Sequence, residues 1–135
     1  MVEKIFSRKI FRDIFKFHPL KQSFGYAFKG IAYLFLYHRN MRIIFLSGIA
    51  AVLLGISLEL ARIEFIMLIL TISVVFIAEM FNTAIELIID MFTDKYHTLI
   101  KIIKDISAGV VFIACLNALV VGYFLFFNKI IFILK

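Results

Sequence analysis

The fold turns on residues 65–90, Phe65-IMLILTISVVFIAEMFNTAIELII-Asp90. Phe65 to Ala78 carries no charge and very little polarity, as a membrane span requires. With no Gly or Pro to interrupt it, the same run continues into Glu79, Asn82, Thr83, Glu86 and Asp90. On a helix, at about 100° per residue, Glu79, Glu86 and Asp90 fall within about 40° of one another, and Asn82 lies roughly 60° to one side. Ile85, Leu87, Ile88 and Ile89 fill much of the remaining surface. Ionisable groups at such depth are costly, so they face a protein interior or a wet cavity and pair with something. A helix with three carboxylates and an amide on one stripe is built for more than lipid contact.

The rest of the chain shares this character. Of its 135 residues 64% are hydrophobic, and the mean hydropathy is +1.05. So short a chain cannot hide that much apolar surface in a soluble core. The class implied is a single all-α integral membrane protein. The net charge of +6 then reads as a topology signal, and the long uncharged runs argue against a nucleic-acid-binding module. With Cys115 as the single cysteine, no intrachain disulfide can form. Basic residues recur throughout residues 1–42, so no secretory signal peptide is expected.

Residues 5–17 read as an amphipathic helix, with Ile10, Phe11, Ile14 and Phe15 against Arg8, Lys9, Arg12, Asp13 and Lys16, the pattern of a helix lying in the membrane interface. Pro19 ends it. Residues 21–38 form a second amphipathic segment with Phe24, Ala27, Phe28, Ile31, Leu34 and Phe35 as its apolar stripe. After the polar break His38-Arg39-Asn40-Met41-Arg42, the uncharged run from Ile43 reaches spanning length if Glu59, Leu60 and Ala61 belong to its end. Residues 92–98 form a polar loop containing Tyr96 and His97, and Ile106 to Phe127 form a last span whose strongly polar member is Asn117, expected to bond across helices. The expected layout is an extension over residues 1–20 and a domain over 21–135, with spans near 43–61, 65–91 and 105–127.

If the N-terminus is cytoplasmic, residues 1–42 and 92–105 hold twelve of the fifteen Lys and Arg residues, leaving Arg62, Lys129 and Lys135 outside. The positive-inside rule therefore predicts N-in, C-out. Glu79, Asn82, Glu86 and Asp90 then converge with Lys104, Asp105 and His38 on the leaflet that faces cytoplasmic nucleotides. Carboxylates on one face can hold Mg²⁺, which takes one or two of them plus substrate phosphates. A nearby lysine can neutralise phosphate, and a further carboxylate can take a proton from an alcohol. This is a parts list for phosphoryl transfer, although no P-loop or kinase Gly-rich loop occurs in the chain. The same groups could also glue helices together or carry protons or ions.

Glu79-Met-Phe-Asn82-Thr83-Ala84-Ile85-Glu86-Leu-Ile-Ile-Asp90, with Tyr96-His97, Lys101 and Lys104-Asp105-Ile-Ser-Ala-Gly109, resembles the signature of the small prokaryotic diacylglycerol kinase family, which includes the undecaprenol kinases of Gram-positive bacteria. Ser23-Phe24-Gly-Tyr-Ala27-Phe28-Lys-Gly30 and Arg39-Asn40 resemble its N-terminal pattern, so the resemblance covers roughly residues 21–127. It implies a homotrimer of three-span subunits in the bacterial cytoplasmic membrane, with active sites shared across subunit interfaces, that uses MgATP to phosphorylate a lipid alcohol. By motif position it implies Glu79 as general base, Glu86 as a metal carboxylate, and Asn82 near the γ-phosphate or metal. Asp90, Lys104 and Asp105 are implied on the nucleotide. Thr83 and Lys101 are closer to the undecaprenol kinase branch. Where the family carries a glutamate just before Arg39-Asn40, the second metal carboxylate, this chain has His38. An imidazole suits Mg²⁺ poorly beside an oxygen ligand. The competing readings are a weakened or non-catalytic subunit of the same fold, and an ion- or proton-coupled helper that uses the carboxylate stripe.

Overall fold

The computed structural model describes residues 20–92 and 98–133 as four helices. The helix expected over residues 5–17 and the loop residues Tyr96 and His97 lie outside the described residues, as does the 1–20 extension apart from Leu20. The chain divides into two compact units, one ending at Leu36 and one running from Tyr37 to the C-terminus. The first holds nearly all of α1, Leu20–Tyr37. The second holds α2, Arg39–Ser57; α3, Arg62–Phe92; and α4, Thr98–Ile133. Each of α2, α3 and α4 is long and apolar enough to cross a membrane.

Within the second unit α3 is central, packing against α2 and more extensively against α4. Small residues set how closely the helices approach. A Cβ on Gly48 would stand 3.0 Å from Ile72 Cγ2, and one on Gly55 would stand 2.9 Å from Leu60 Cδ1 and 3.1 Å from Leu68 Cδ2. Met41, Gly48 and Gly55, seven residues apart along one side of α2, are all buried. Between α3 and α4 the core is Val75, Ala78 and Ala114, with Ile44, Val111, Cys115 and Ala118 packed against it. Alanines at a helix seam let backbones pack closely where no hydrophobic effect drives helices together. Most large apolar side chains, among them Leu70, Ile113, Leu119 and Phe124, point outward, which suits a surface facing lipid.

The first span does not carry through Glu59 to Ala61 as expected. It ends at Ser57 in a turn whose geometry is a Schellman cap. Leu58 is the C-cap, Glu59 N–H donates to the Ile56 carbonyl (3.1 Å), and Leu60 N–H donates to the Gly55 carbonyl (3.0 Å). The residue after the cap must be left-handed, and here it is Glu59, with φ 50°. Glycine is the usual occupant of that position, so the stop carries no glycine signal in the sequence. α3 then opens with Glu64 reaching back to the Ala61 N–H (2.7 Å), one half of a capping box. Lys129, near the far end of α4, pairs with Glu64 (3.0 Å) and donates to the Glu59 carbonyl (3.2 Å). This clamp ties the α2–α3 turn to α4.

Candidate active site

The pairings fix the helix directions. Gly48 lies over Ile72 and Gly55 over Leu68, so α2 and α3 are antiparallel. Lys129 meets Glu64 at one end of the α3–α4 pair and Lys104 meets Asp90 at the other, so α3 and α4 are antiparallel too. The N-terminus of α2, the C-terminal part of α3 and the N-terminal part of α4 therefore share one end of the bundle. His38, Glu86, Asp90, Lys104 and Asp105 belong to that end.

The carboxylate stripe on α3 runs from inside to outside. Glu79 is 4% exposed, Glu86 is half-buried, and Asp90 is exposed. From Glu79 to Asp90 the helix rises about 16 Å at 1.5 Å per residue. Asn82 and Thr83, at 8% and 1% exposed, are buried beside the stripe.

A chain of hydrogen bonds joins α3 to α4 at the middle of this stripe. Asn82 Nδ2 donates to Glu86 Oε1 (3.2 Å). Ser107 Oγ, itself buried, lies 2.7 Å from Asn82 Oδ1 and 2.9 Å from the Lys104 carbonyl. Nearer the helix end, Lys104 Nζ donates to Asp90 Oδ1 at 2.7 Å. Both partners of that pair are substantially exposed, so water screens it and it opens at little cost. Its cation is thus held in place but available to an incoming phosphate.

Glu79 differs from the others. Among the described residues nothing donates a hydrogen bond to its carboxylate, and no buried side-chain oxygen or nitrogen is wholly shut off from both solvent and partners. A buried carboxyl with unused acceptor capacity is what a proton-abstracting group needs before its substrate arrives.

Of the residues singled out from the sequence, the structure thus links Asn82 with Glu86 and Asp90 with Lys104. Asp105 is exposed on α4, next to Lys104 in sequence. His38 is the N-cap of α2, half-buried, and its side chain makes no capping hydrogen bond. Among the described residues no three His, Cys, Asp or Glu side chains gather closely enough to enclose a metal ion. Asn117, expected to bond across helices, is instead exposed on α4, because its register turns it away from the α3 seam. Two features escaped the sequence reading: Ser107 as the partner of Asn82, and Lys129 as the clamp on the α2–α3 turn. Ser107 lies within the Lys104–Gly109 motif, but spacing alone does not say which residue on α3 it meets.

Residues 25–126 match the family described as prokaryotic diacylglycerol kinase. The chain is similar to the diacylglycerol kinase of Synechocystis, 41% identical over 101 residues, which are 74% of this chain and 58% of that protein. It is similar to the undecaprenol kinase of Bacillus subtilis, 34% identical over 109 residues, 81% of this chain and 89% of that one. It is similar also to the diacylglycerol kinase of Escherichia coli, 29% identical over 96 residues, 71% and 79% of the two chains. The match thus spans somewhat over half of the Synechocystis relative and most of the other two.

Proposed function

The chain belongs to the prokaryotic diacylglycerol kinase family, and from that premise we propose that it transfers the γ-phosphoryl group of ATP to the hydroxyl of a membrane lipid alcohol, undecaprenol or diacylglycerol. The observation that carries this reading is the pairing of a buried carboxyl that accepts no hydrogen bond among the described residues, Glu79, with a linked polar set further along the same stripe.

In the proposed step the lipid hydroxyl gives its proton to the Glu79 carboxylate as its oxygen bonds to the γ-phosphorus. The bond from that phosphorus to the β–γ bridging oxygen breaks, and ADP leaves. Asn82 presents the amide N–H that Glu86 does not engage to the transferring phosphoryl oxygens. Lys104 leaves Asp90 to meet the phosphates, and Asp90 and Asp105 hold the nucleotide end. Such transfers depend mainly on positioning and charge neutralisation.

Within the donor set it is Glu86 that suits Mg²⁺. Glu86 is half-buried with one oxygen engaged by Asn82, leaving the other for a cation that keeps several waters and completes its shell with phosphate oxygens. His38, at the same end of the bundle, would be a second and weaker protein ligand, since an imidazole suits Mg²⁺ poorly. When bound, the ion would offset charge on the phosphates.

The lysine and arginine distribution supports an N-in, C-out orientation in a bacterial cytoplasmic membrane, with this end of the bundle inside. Self-association is supported by Asn117, a polar side chain exposed midway along a lipid-facing helix, where an unpaired amide is costly; a homotrimer with shared sites is what the family resemblance implies.

The test is transfer of labelled phosphate from MgATP to undecaprenol and to diacylglycerol, side by side, in mixed micelles. Much faster transfer to one lipid supports the kinase and names its substrate. No transfer to either from folded protein overturns the reading in favour of a non-catalytic or ion-coupled subunit.

A further inference from the structure

We propose that Ser107 is a positioning residue for this transfer, which anchors the Oδ1 end of the Asn82 amide across the helix seam and so leaves Asn82 a hydrogen-bond donor at the site rather than a metal ligand. The inference rests on the kinase reading for its catalytic consequence, but its structural half stands on the contacts alone.

An asparagine amide has one accepting end and one donating end of nearly equal size, so its neighbours decide which way it points. Glu86, as a carboxylate, can only accept. The end of Asn82 that faces Glu86 Oε1 must therefore be the Nδ2 end, at 3.2 Å. The Oδ1 end then points across the helix seam to Ser107 Oγ at 2.7 Å, and a hydroxyl can donate there. Turning the amide over would set Oδ1 against a carboxylate oxygen. The Glu86 contact therefore selects the orientation, and the Ser107 hydroxyl, by donating, anchors the Oδ1 end that this orientation sends across the seam.

Burial makes the selection matter. Asn82 is 8% exposed and Ser107 4%, so water cannot readily replace the hydroxyl once it is removed, and a buried Oδ1 left unpaired is costly. Ser107 has one proton and two acceptors in reach, Asn82 Oδ1 and the Lys104 carbonyl at 2.9 Å. Removing it leaves Asn82 Oδ1 alone orphaned, since a carbonyl at Lys104 in mid-helix has its own backbone donor. With Oδ1 engaged by Ser107, the Asn82 group left facing the stripe is the amide nitrogen. That end recognises acceptors, either the Glu86 carboxylate or a phosphoryl oxygen, and not a cation.

The experiment compares Ser107→Ala with Ser107→Thr in the full-length protein, using whichever lipid alcohol the wild type phosphorylates. Ser107→Ala is expected to lower kcat about 10- to 100-fold, somewhat less than the roughly 10²- to 10³-fold for removing such a donor outright, because the Asn82 amide loses its anchor. KM for MgATP and for the lipid should stay within about 2-fold, because the amide acts on the transferring group and not on ground-state binding. Ser107→Thr, which keeps the hydroxyl, should stay within about 5-fold of wild type in kcat. The second readout is independent of turnover: the side-chain ¹⁵N resonance of Asn82, assigned by its loss in Asn82→Ala. It should move in Ser107→Ala and hold in Ser107→Thr. An unmoved resonance in Ser107→Ala overturns the proposal, as does a kcat within about 2-fold of wild type. Equal loss in Ser107→Thr with a native Asn82 resonance overturns it as well. If the wild type phosphorylates neither lipid, the kinase reading fails, and the resonance alone decides the role of Ser107.

Discussion

Replacing Glu79 by glutamine should separate activity from stability. Glutamine matches glutamate in size, so the packing around a side chain that is 4% exposed is preserved. Among the described residues the carboxylate makes no hydrogen bond, so the change leaves no partner orphaned, and it replaces an ionisable buried group with a neutral one. Large losses of stability come from cavities, orphaned polar groups or broken networks, and none of these is created here. The expected change in unfolding free energy is thus within about 1 kcal/mol of zero, or in the stabilising direction. Turnover should fall far more. A positioned base contributes on the order of 10²- to 10⁴-fold, and an amide cannot accept the proton of the lipid hydroxyl. The assay pairs labelled-phosphate transfer in mixed micelles with thermal unfolding followed by circular dichroism in the same detergent. Turnover within about 10-fold of wild type would refute the base assignment. A marked drop in the unfolding midpoint would refute the premise that Glu79 is free of structural partners.

Three further outcomes follow from the helix contacts. Glu59→Gly should stabilise the protein by about 1 kcal/mol, because it relieves a left-handed backbone while keeping the carbonyl that accepts from Lys129; an unchanged unfolding midpoint would contradict the cap geometry. Lys129→Met should lower that midpoint with little effect on KM for MgATP, since the clamp on Glu64 and Glu59 lies at the end of the bundle remote from Lys104; a selective rise in that KM would show that the two ends are coupled. Asn117→Leu should weaken self-association, seen as a shift to smaller species in detergent-corrected light scattering, because it removes an exposed mid-span amide. An unaltered mass distribution would mean that Asn117 holds no subunits together.

Much of the site was legible in the residues, for a definite reason. A helix phases its side chains by a fixed rotation, so spacing alone places Glu79, Glu86 and Asp90 on one stripe. The gradient along that stripe, from buried Glu79 to exposed Asp90, was not legible. It depends on how α4 is turned and spaced against α3. The end of the first span was also hidden. Helix stops are read from Gly or Pro, and here a glutamate takes the left-handed position, held by Leu60 N–H donating to Gly55 and Lys129 donating to the Glu59 carbonyl. Asn117 was expected to bond across helices because it is polar in an apolar run, yet periodicity does not say which side of α4 meets α3.

By itself the sequence determined that the chain is helical and membrane-spanning, because uncharged apolar runs of spanning length leave helices as the way to satisfy every backbone group in lipid. It determined too which polar residues share a face of the central helix, and its motifs identified the family. Tertiary structure alone decided the partners: Asn82 with Ser107, 25 residues apart, and Lys129 with the Glu59 carbonyl, 70 apart. The physical reason is that phase within one helix is a local property of the backbone. The rotation and depth of one helix against another are set by side-chain volumes at the seam, here Gly48, Gly55, Ala78 and Ala114, and only that packing selects which polar groups meet across it.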